Sequence, residues 1–304
     1  MLVSMNETPV FSAEYKRLTP ELMSSLPKVY LHSTGSIAAA IERLSTENVV
    51  YAEHSVTIDE FDQAIRLAIT SPFTIGVLVQ CTSVDDIYRV AADETGFALG
   101  VVVDTPELAA AARTALVPYE FRGALTEQVT YAAARIIGDS ELFDDFHIDE
   151  EGTIFVGGAA GWVRDRGIPV LTNPVTAVAE GRIESLADHP LALLAELGFK
   201  VTAQEMDAHL LGQFEQFLEF DLGHIFRLTM QAMDAAFLPL PLREEIIATQ
   251  IVPIYREFTD TMPAPEESSS DSNADNDSSE PLDIGGIDPA LLAEMGIDPK
   301  DLQL

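Results

Sequence analysis

The chain has 304 residues, 47% of them apolar, with 17 Lys and Arg against 50 Asp and Glu and a formal net charge of −33. A surface this acidic repels nucleic acid and anionic lipid, so neither is expected as a partner, while the apolar share suffices for a sizeable core in one large or two small domains. The one cysteine, Cys81, excludes a disulfide framework within the chain and fits a reducing cytoplasm; inside an apolar run it reads as a small buried hydrophobe.

No basic flank followed by a long apolar run marks a signal peptide, and no run approaches the ~20 apolar residues that would span a membrane. A cytoplasmic location is expected. Residues 1–25 form a mixed lead-in. From there short apolar strands alternate with amphipathic helices. Strands are expected at Leu26–Leu31, Val49–Ala52, Ile75–Cys81 and Ala98–Asp104, and helices at Ile37–Leu44, Ile58–Ile69, Val84–Ala92 and Pro106–Leu116. A weak strand falls within Val117–Gly123, then a helix over Leu125–Ala134, a short strand at Arg135–Gly138 and an acidic loop over Asp139–Asp149. A strand and helix follow in Thr153–Asp165. The strand Ile168–Leu171 ends in a Thr-Asn-Pro turn and a polar loop, and a helix over Leu186–Leu197 leads to the strand Phe199–Thr202. Helices over Phe214–Phe237 and Leu242–Phe258, broken at Pro239 and Pro241, close the domain. The alternation argues for a parallel α/β fold, and about eight such strands favour a (β/α)8 barrel, though the chain is short for one.

Residues 262–285 change character. The segment is rich in Pro, Ser, Asp, Asn and Glu and has almost no large apolar residue, so an acidic disordered linker is expected. Residues 263–304 carry 11 acids and one base, about 10 of the 33 net negative charges. The repeat Gly286-Ile287-Asp288-Pro289 and Gly296-Ile297-Asp298-Pro299 flanks a potential short helix in 286–304. That motif is expected either to dock in a partner protein's groove or to be a tail that caps its own barrel or has no role.

The run from Gly167 to His209 resembles a passage of the adenosine deaminase family, zinc amidohydrolases on a TIM-type (β/α)8 barrel. Ile168, Pro169, Pro174, Val178, Gly181, Ser185, His189, Pro190, Leu193, Leu194, Gly198, Val201 and Thr202 fall on the family pattern without a gap. The resemblance extends over 26–261. LPKVYLHSTGS at Leu26–Ser36, ARIIG at Ala134–Gly138 and AFLPLPLREEII at Ala236–Ile247 follow in the family's order. It implies a shortened barrel of the amidohydrolase kind and, by descent, purine nucleoside chemistry.

The family's active-site pattern is largely missing. Its HxH zinc motif is shortened to His32-Ser33-Thr34-Gly35, HAGE has no counterpart, the histidine of RIGHG falls on Gly138, and the zinc-binding aspartate of NTDDP falls on Met206. His32, Gly35, Gly181 and Asp207 remain at matching positions as candidate binding residues. The expectation is therefore a relative without the ancestral reaction and without a cofactor. It would bind a purine nucleoside in the remnant mouth, or a protein through 286–304. The alternative is a divergent metal-dependent hydrolase with a rebuilt zinc site from His32, His54, Asp207 and His209, all expected just past strand ends. Asp104 with Glu107 reads as a helix cap and first-turn acid. Gly157-Gly158 before a helix is a weak phosphate-binding signal, and no nucleophile elbow, Walker loop or dinucleotide fingerprint occurs.

Overall fold

The computed structural model describes residues 10–11, 18–122, 133–138, 142, 145–150 and 153–261. The expected helix over Leu125–Ala134 falls almost wholly outside them, and the linker and C-terminal motif entirely. One compact unit ends at Ala264.

Eight strands form a single parallel sheet: β1 (Lys28–Ser33), β2 (Val49–Thr57), β3 (Thr74–Gln80), β4 (Ala98–Val103), β5 (Tyr119–Phe121), β6 (Arg135–Ile137), β7 (Val170–Thr172) and β8 (Val201–Ala203). Each pairs with the next in chain order from β1 to β8. The ring closes where the Leu31 N–H donates to the Gln204 carbonyl at 2.8 Å, beside an antiparallel bridge between Tyr30 and Glu205. This is a nearly closed TIM-type barrel with helices outside it, as the alternating pattern predicts. Its strands are buried on both faces because helices cover the outside, so they read as apolar runs.

Local sequence sets the covering helices. α1 (Ile37–Leu44) starts at the Ser36 cap, α2 (Phe61–Ile69) follows a Thr57–Glu60 turn, and α3 (Val84–Ala91) has a capping box between Ser83 and Asp86. α4 (Pro106–Thr114) is capped by the Thr105 hydroxyl, so Asp104 is not the cap. Pro174 after Asn173 starts a helix, Pro174–Ala179, where a polar loop was expected: asparagine caps while proline suits the first turn. Leu186–Leu197 is interrupted because Pro190 follows His189, leaving a short 3-10 turn and the helix Leu191–Glu196. The expected long helix from Phe214 is two, α5 (Ala208–Leu218) and α6 (Leu222–Ala235). Glu219 adopts a left-handed φ of 54° and Asp221 caps the second. Pro241 sits inside the first turn of Leu240–Ile246 rather than breaking it.

The lead-in contributes to the core. Leu18, Leu22 and Met23 are buried, and Phe11 packs edge-on against Phe226 and Tyr255, where Val10–Phe11 pairs with Thr259–Thr261. His147, expected in an acidic loop, lies in a hairpin of Phe146–Ile148 against Ile154–Val156.

Candidate functional site

The barrel interior is charged. Arg135, fully buried on β6, lies 2.5 Å from Glu53 on β2, and its Nε donates to Glu120 on β5 at 2.8 Å. Its two terminal nitrogens donate to the carbonyls of Leu31 at 2.8 Å and Ala235 at 3.2 Å. The guanidinium also stacks 4.2 Å from the centre of the Phe237 ring. That ring fills the space beside Gly100, where a Cβ would collide with it. Glu53 Oε1 accepts from the Tyr51 hydroxyl and the Phe237 N–H, both at 2.7 Å. Burial opposes charge on Arg135 and on Glu120. It would lower the Arg135 pKa, but Glu53 and Glu120 outweigh it and raise the value. Burial would likewise raise the Glu120 carboxyl, but Arg135, His32 and Arg122 hold it below the usual range.

Above this cluster stands His32. Its Nδ1 lies 3.0 Å from Glu120 Oε1, at ion-pair distance though off the line of an ideal hydrogen bond, and its Nε2 accepts from a terminal N–H of Arg122. A guanidinium can only donate, so Nε2 holds the lone pair and Nδ1 the proton. Arg122 Nε is 3.9 Å from the same Glu120 oxygen, and its side chain stays 37% exposed at the C-terminal end of β5. His54 on the neighbouring strand β2 has its Nδ1 2.7 Å from Ser33 Oγ of β1, and its Nε2 donates to the Gly35 carbonyl at 3.0 Å. A carbonyl only accepts, which fixes this tautomer as well. Burial holds the His54 pKa below the ordinary histidine value.

The candidate residues separate into groups. His32 and His54 lie inside their strands, not past the ends. β2 runs three residues beyond His54 because seven consecutive residues, Tyr51 to Thr57, register against β3. Gly35 has φ 90° and serves as the acceptor for His54. Asp207 caps α5, its Oδ1 accepting from the Leu210 N–H at 2.7 Å, and raises the pKa of Tyr30 behind burial and Glu47. His209 is exposed in the first turn of that helix. Gly181, at φ 70°, ends the helix Pro174–Ala179 in an exposed turn. Met206 is 2% exposed. Among the described residues no group of three or more His, Cys, Asp or Glu is arranged to hold a metal ion. The four side chains of the rebuilt set already have partners or point to solvent, so they do not fit a zinc ion in this arrangement.

The weak phosphate signal at Gly157-Gly158 has an internal explanation. Asp145 Oδ2 accepts from the Ala160 N–H at 2.9 Å, so a carboxylate of this chain already occupies that helix start. A small cleft of about 80 Å³ lies between Gly35–Ala38 and α2, lined also by Val56, Glu60 and Gln63.

Sequence reasoning missed Glu120, Arg122 and Arg135. The signal was present: charged residues inside the short runs YEFR and ARII, on strands covered on both faces, must be paired.

No family model matches the chain. It is 33% identical over 139 residues to an adenosine deaminase of Mycobacteroides abscessus, a match covering 42% of this chain and 38% of that one. It is 31% identical over 126 residues to adenosine deaminase 1 of Streptomyces coelicolor, covering 38% and 32%. The chain is a relative of the adenosine deaminases. The match spans about two fifths of the length of the first of these. Among solved structures the fold resembles an adenine deaminase from Arthrobacter aurescens (TM-score 0.55, 15% identity, 72% of this chain and 77% of that one). It also resembles Arabidopsis ADAL complexed with IMP (0.61, 12%, 79% and 100%). These structural likenesses support the TIM-type barrel fold and nothing finer.

Proposed function

We propose that this chain is an adenosine deaminase-like barrel that has left zinc chemistry behind and acts by binding a purine nucleoside at the C-terminal mouth of the barrel. The observation that carries the reading is the state of His32. It is the one position retained from the family's HxH motif, and its lone pair is taken by Arg122 while its other nitrogen faces Glu120. Zinc in this family lowers the pKa of a bound water so that hydroxide forms near neutral pH. In this chain His32, His54 and Asp207 are each engaged by other groups of the protein. His32 holds its proton at Nδ1, His54 holds its own at Nε2, and Asp207 satisfies a helix end.

The nucleoside reading draws support from kinship with the adenosine deaminases and from the IMP bound by a protein of the same fold. At the mouth, Arg122 offers donors, and Gln80, whose amide donates to the buried Ser55 hydroxyl at 3.1 Å, keeps an amide oxygen. These suit the carbonyl and ring nitrogens of a purine. The test is elemental analysis of protein purified without a metal-binding tag, together with calorimetric titration of adenosine and inosine. Zinc below a tenth of an equivalent with saturable nucleoside binding is the expected result. Zinc near one per chain, with ammonia released from adenosine, would overturn it.

A further inference from the structure

Arg122 meets the buried charges of the barrel at its mouth. Glu53 and Glu120 are both fully buried, and among the described residues Arg135 is the cation that pairs with both. Arg135 takes Glu120 Oε2, which leaves Oε1 facing His32 Nδ1 at 3.0 Å and Arg122 Nε at 3.9 Å. His32 Nε2 accepts from the Arg122 guanidinium, so that lone pair is taken within the chain. A buried carboxylate is costly unless cations and donors surround it. Arg122 is placed to be such a cation, one terminal nitrogen on His32 Nε2 and its Nε facing Glu120 Oε1.

We propose that Arg122 is the resident cation of the barrel mouth: its guanidinium takes the coordination position of His32 Nε2, balances the buried Glu120 carboxylate, and closes the mouth to metal ions. Two physical consequences follow. A metal ion can reach His32 only if the Arg122 N–H leaves the lone pair. A divalent cation there would also face the positive charge of the displaced guanidinium. The site left by removing Arg122 should therefore accept a small planar cation that donates to both His32 and Glu120, with guanidinium as the simplest.

The experiment uses the full chain and two variants, Arg122→Ala and Arg122→Lys. Thermal melting is followed in millimolar guanidinium chloride and in sodium chloride of equal ionic strength, and zinc binding by calorimetry. Arg122→Ala is expected to melt several degrees below the parent and to regain part of that loss in guanidinium but not in sodium. Arg122→Lys keeps the charge but loses the fork, and should fall between the two. Zinc should bind more tightly to Arg122→Ala than to the parent by at least an order of magnitude, and the further change His32→Ala should abolish that gain. Where Arg122→Ala does not fold, Arg122→Lys carries the test through its intermediate melting point and a shifted nitrogen resonance of His32 Nε2.

An Arg122→Ala protein as stable as the parent, with no guanidinium-specific recovery and no gain in zinc affinity, overturns the proposal. The inference rests on the reading above that the parent site carries no metal. Zinc found in the parent protein would remove that reading, whereas a metal-free parent indifferent to Arg122 would remove only the resident cation.

Discussion

The first four strands of the barrel and the last four are built differently. β1 to β4 have 6, 9, 7 and 6 residues, and β2 and β3 share a seven-residue register. β5 to β8 have three residues each. Three residues per strand leave few ladder hydrogen bonds, and the second half depends on side chains to hold its curvature. Arg135 provides much of that hold. Registered opposite Glu120 on β5, it reaches across the interior to Glu53 on β2, to the β1 backbone and to the end of α6. One half of the barrel is held mainly by backbone pairing, and the other is tied to it by an ionic hub.

The largest expected effect comes from removing that hub. Arg135→Met should destabilise the protein by about 3–5 kcal/mol, because two buried carboxylates lose their shared partner. Hydrogen exchange should locate the damage, with amides of β5 to β8 gaining more exchange than those of β2 and β3. Uniform loss of protection across both halves would mean that the hub holds the barrel as a whole and the contrast is wrong. Replacing all three charges by apolar residues of similar size should recover much of the loss.

Acid should probe the same hub more gently. The Glu120 carboxyl is held below its usual range in the folded state, so the unfolded chain binds the extra proton first as pH falls. Its stabilising contribution is complete above the unfolded value of about 4.3 and is lost as pH falls through the lower folded value. Denaturant midpoints measured downward from pH 5 should therefore fall with acid, and less steeply in Glu120→Gln measured against its own pH 5 value. Equal slopes would show that Glu120 gains nothing from its partners.

The first half of the barrel was the legible half. Continuous apolar runs such as Ala98–Val103 and cap residues such as Ser36 and Ser83 carry their structure locally, so Ile37–Leu44 matches its expected bounds. The second half was harder because its strands are too short for a period to register, and because polar residues sit in them for reasons found on other strands. Glu120 is meaningful only beside Arg135, His32 and Arg122; Arg122 is close in sequence, but Arg135 and His32 stand on other strands. Kinship was readable from the Gly167–His209 pattern. The engagement of His32 by Arg122 was not, because it joins residues 90 positions apart.

A tie of intermediate strength lies between β6 and β7, where the hairpin of Phe146–Ile148 and Ile154–Val156 meets the helix Gly158–Asp165. Asp145 accepts from the Ala160 N–H through its side chain and from the Gly157 N–H through its carbonyl at 2.7 Å. Asp145→Ala removes only the first, and should cost about 1 kcal/mol, as loss of a helix cap does. Asp145→Asn, which keeps an acceptor oxygen, should retain most of the stability. If the two variants melt together, the charge at the helix start matters more than the hydrogen bond.

The smallest effect expected is at Gly181, in the exposed turn after β7. Its φ of 70° lies in the left-handed region, and no atom of the described residues would touch an added Cβ. The cost of Gly181→Ala is therefore backbone strain alone, about 1 kcal/mol, offset in part by the lower entropy of the unfolded chain. Gly181→Asn should be milder still, because asparagine tolerates this conformation. A loss well beyond that in alanine, with nucleoside affinity reduced as well, would mean that the Gly181 turn touches the ligand, and the second half of the barrel would then contribute to binding as well as to closure.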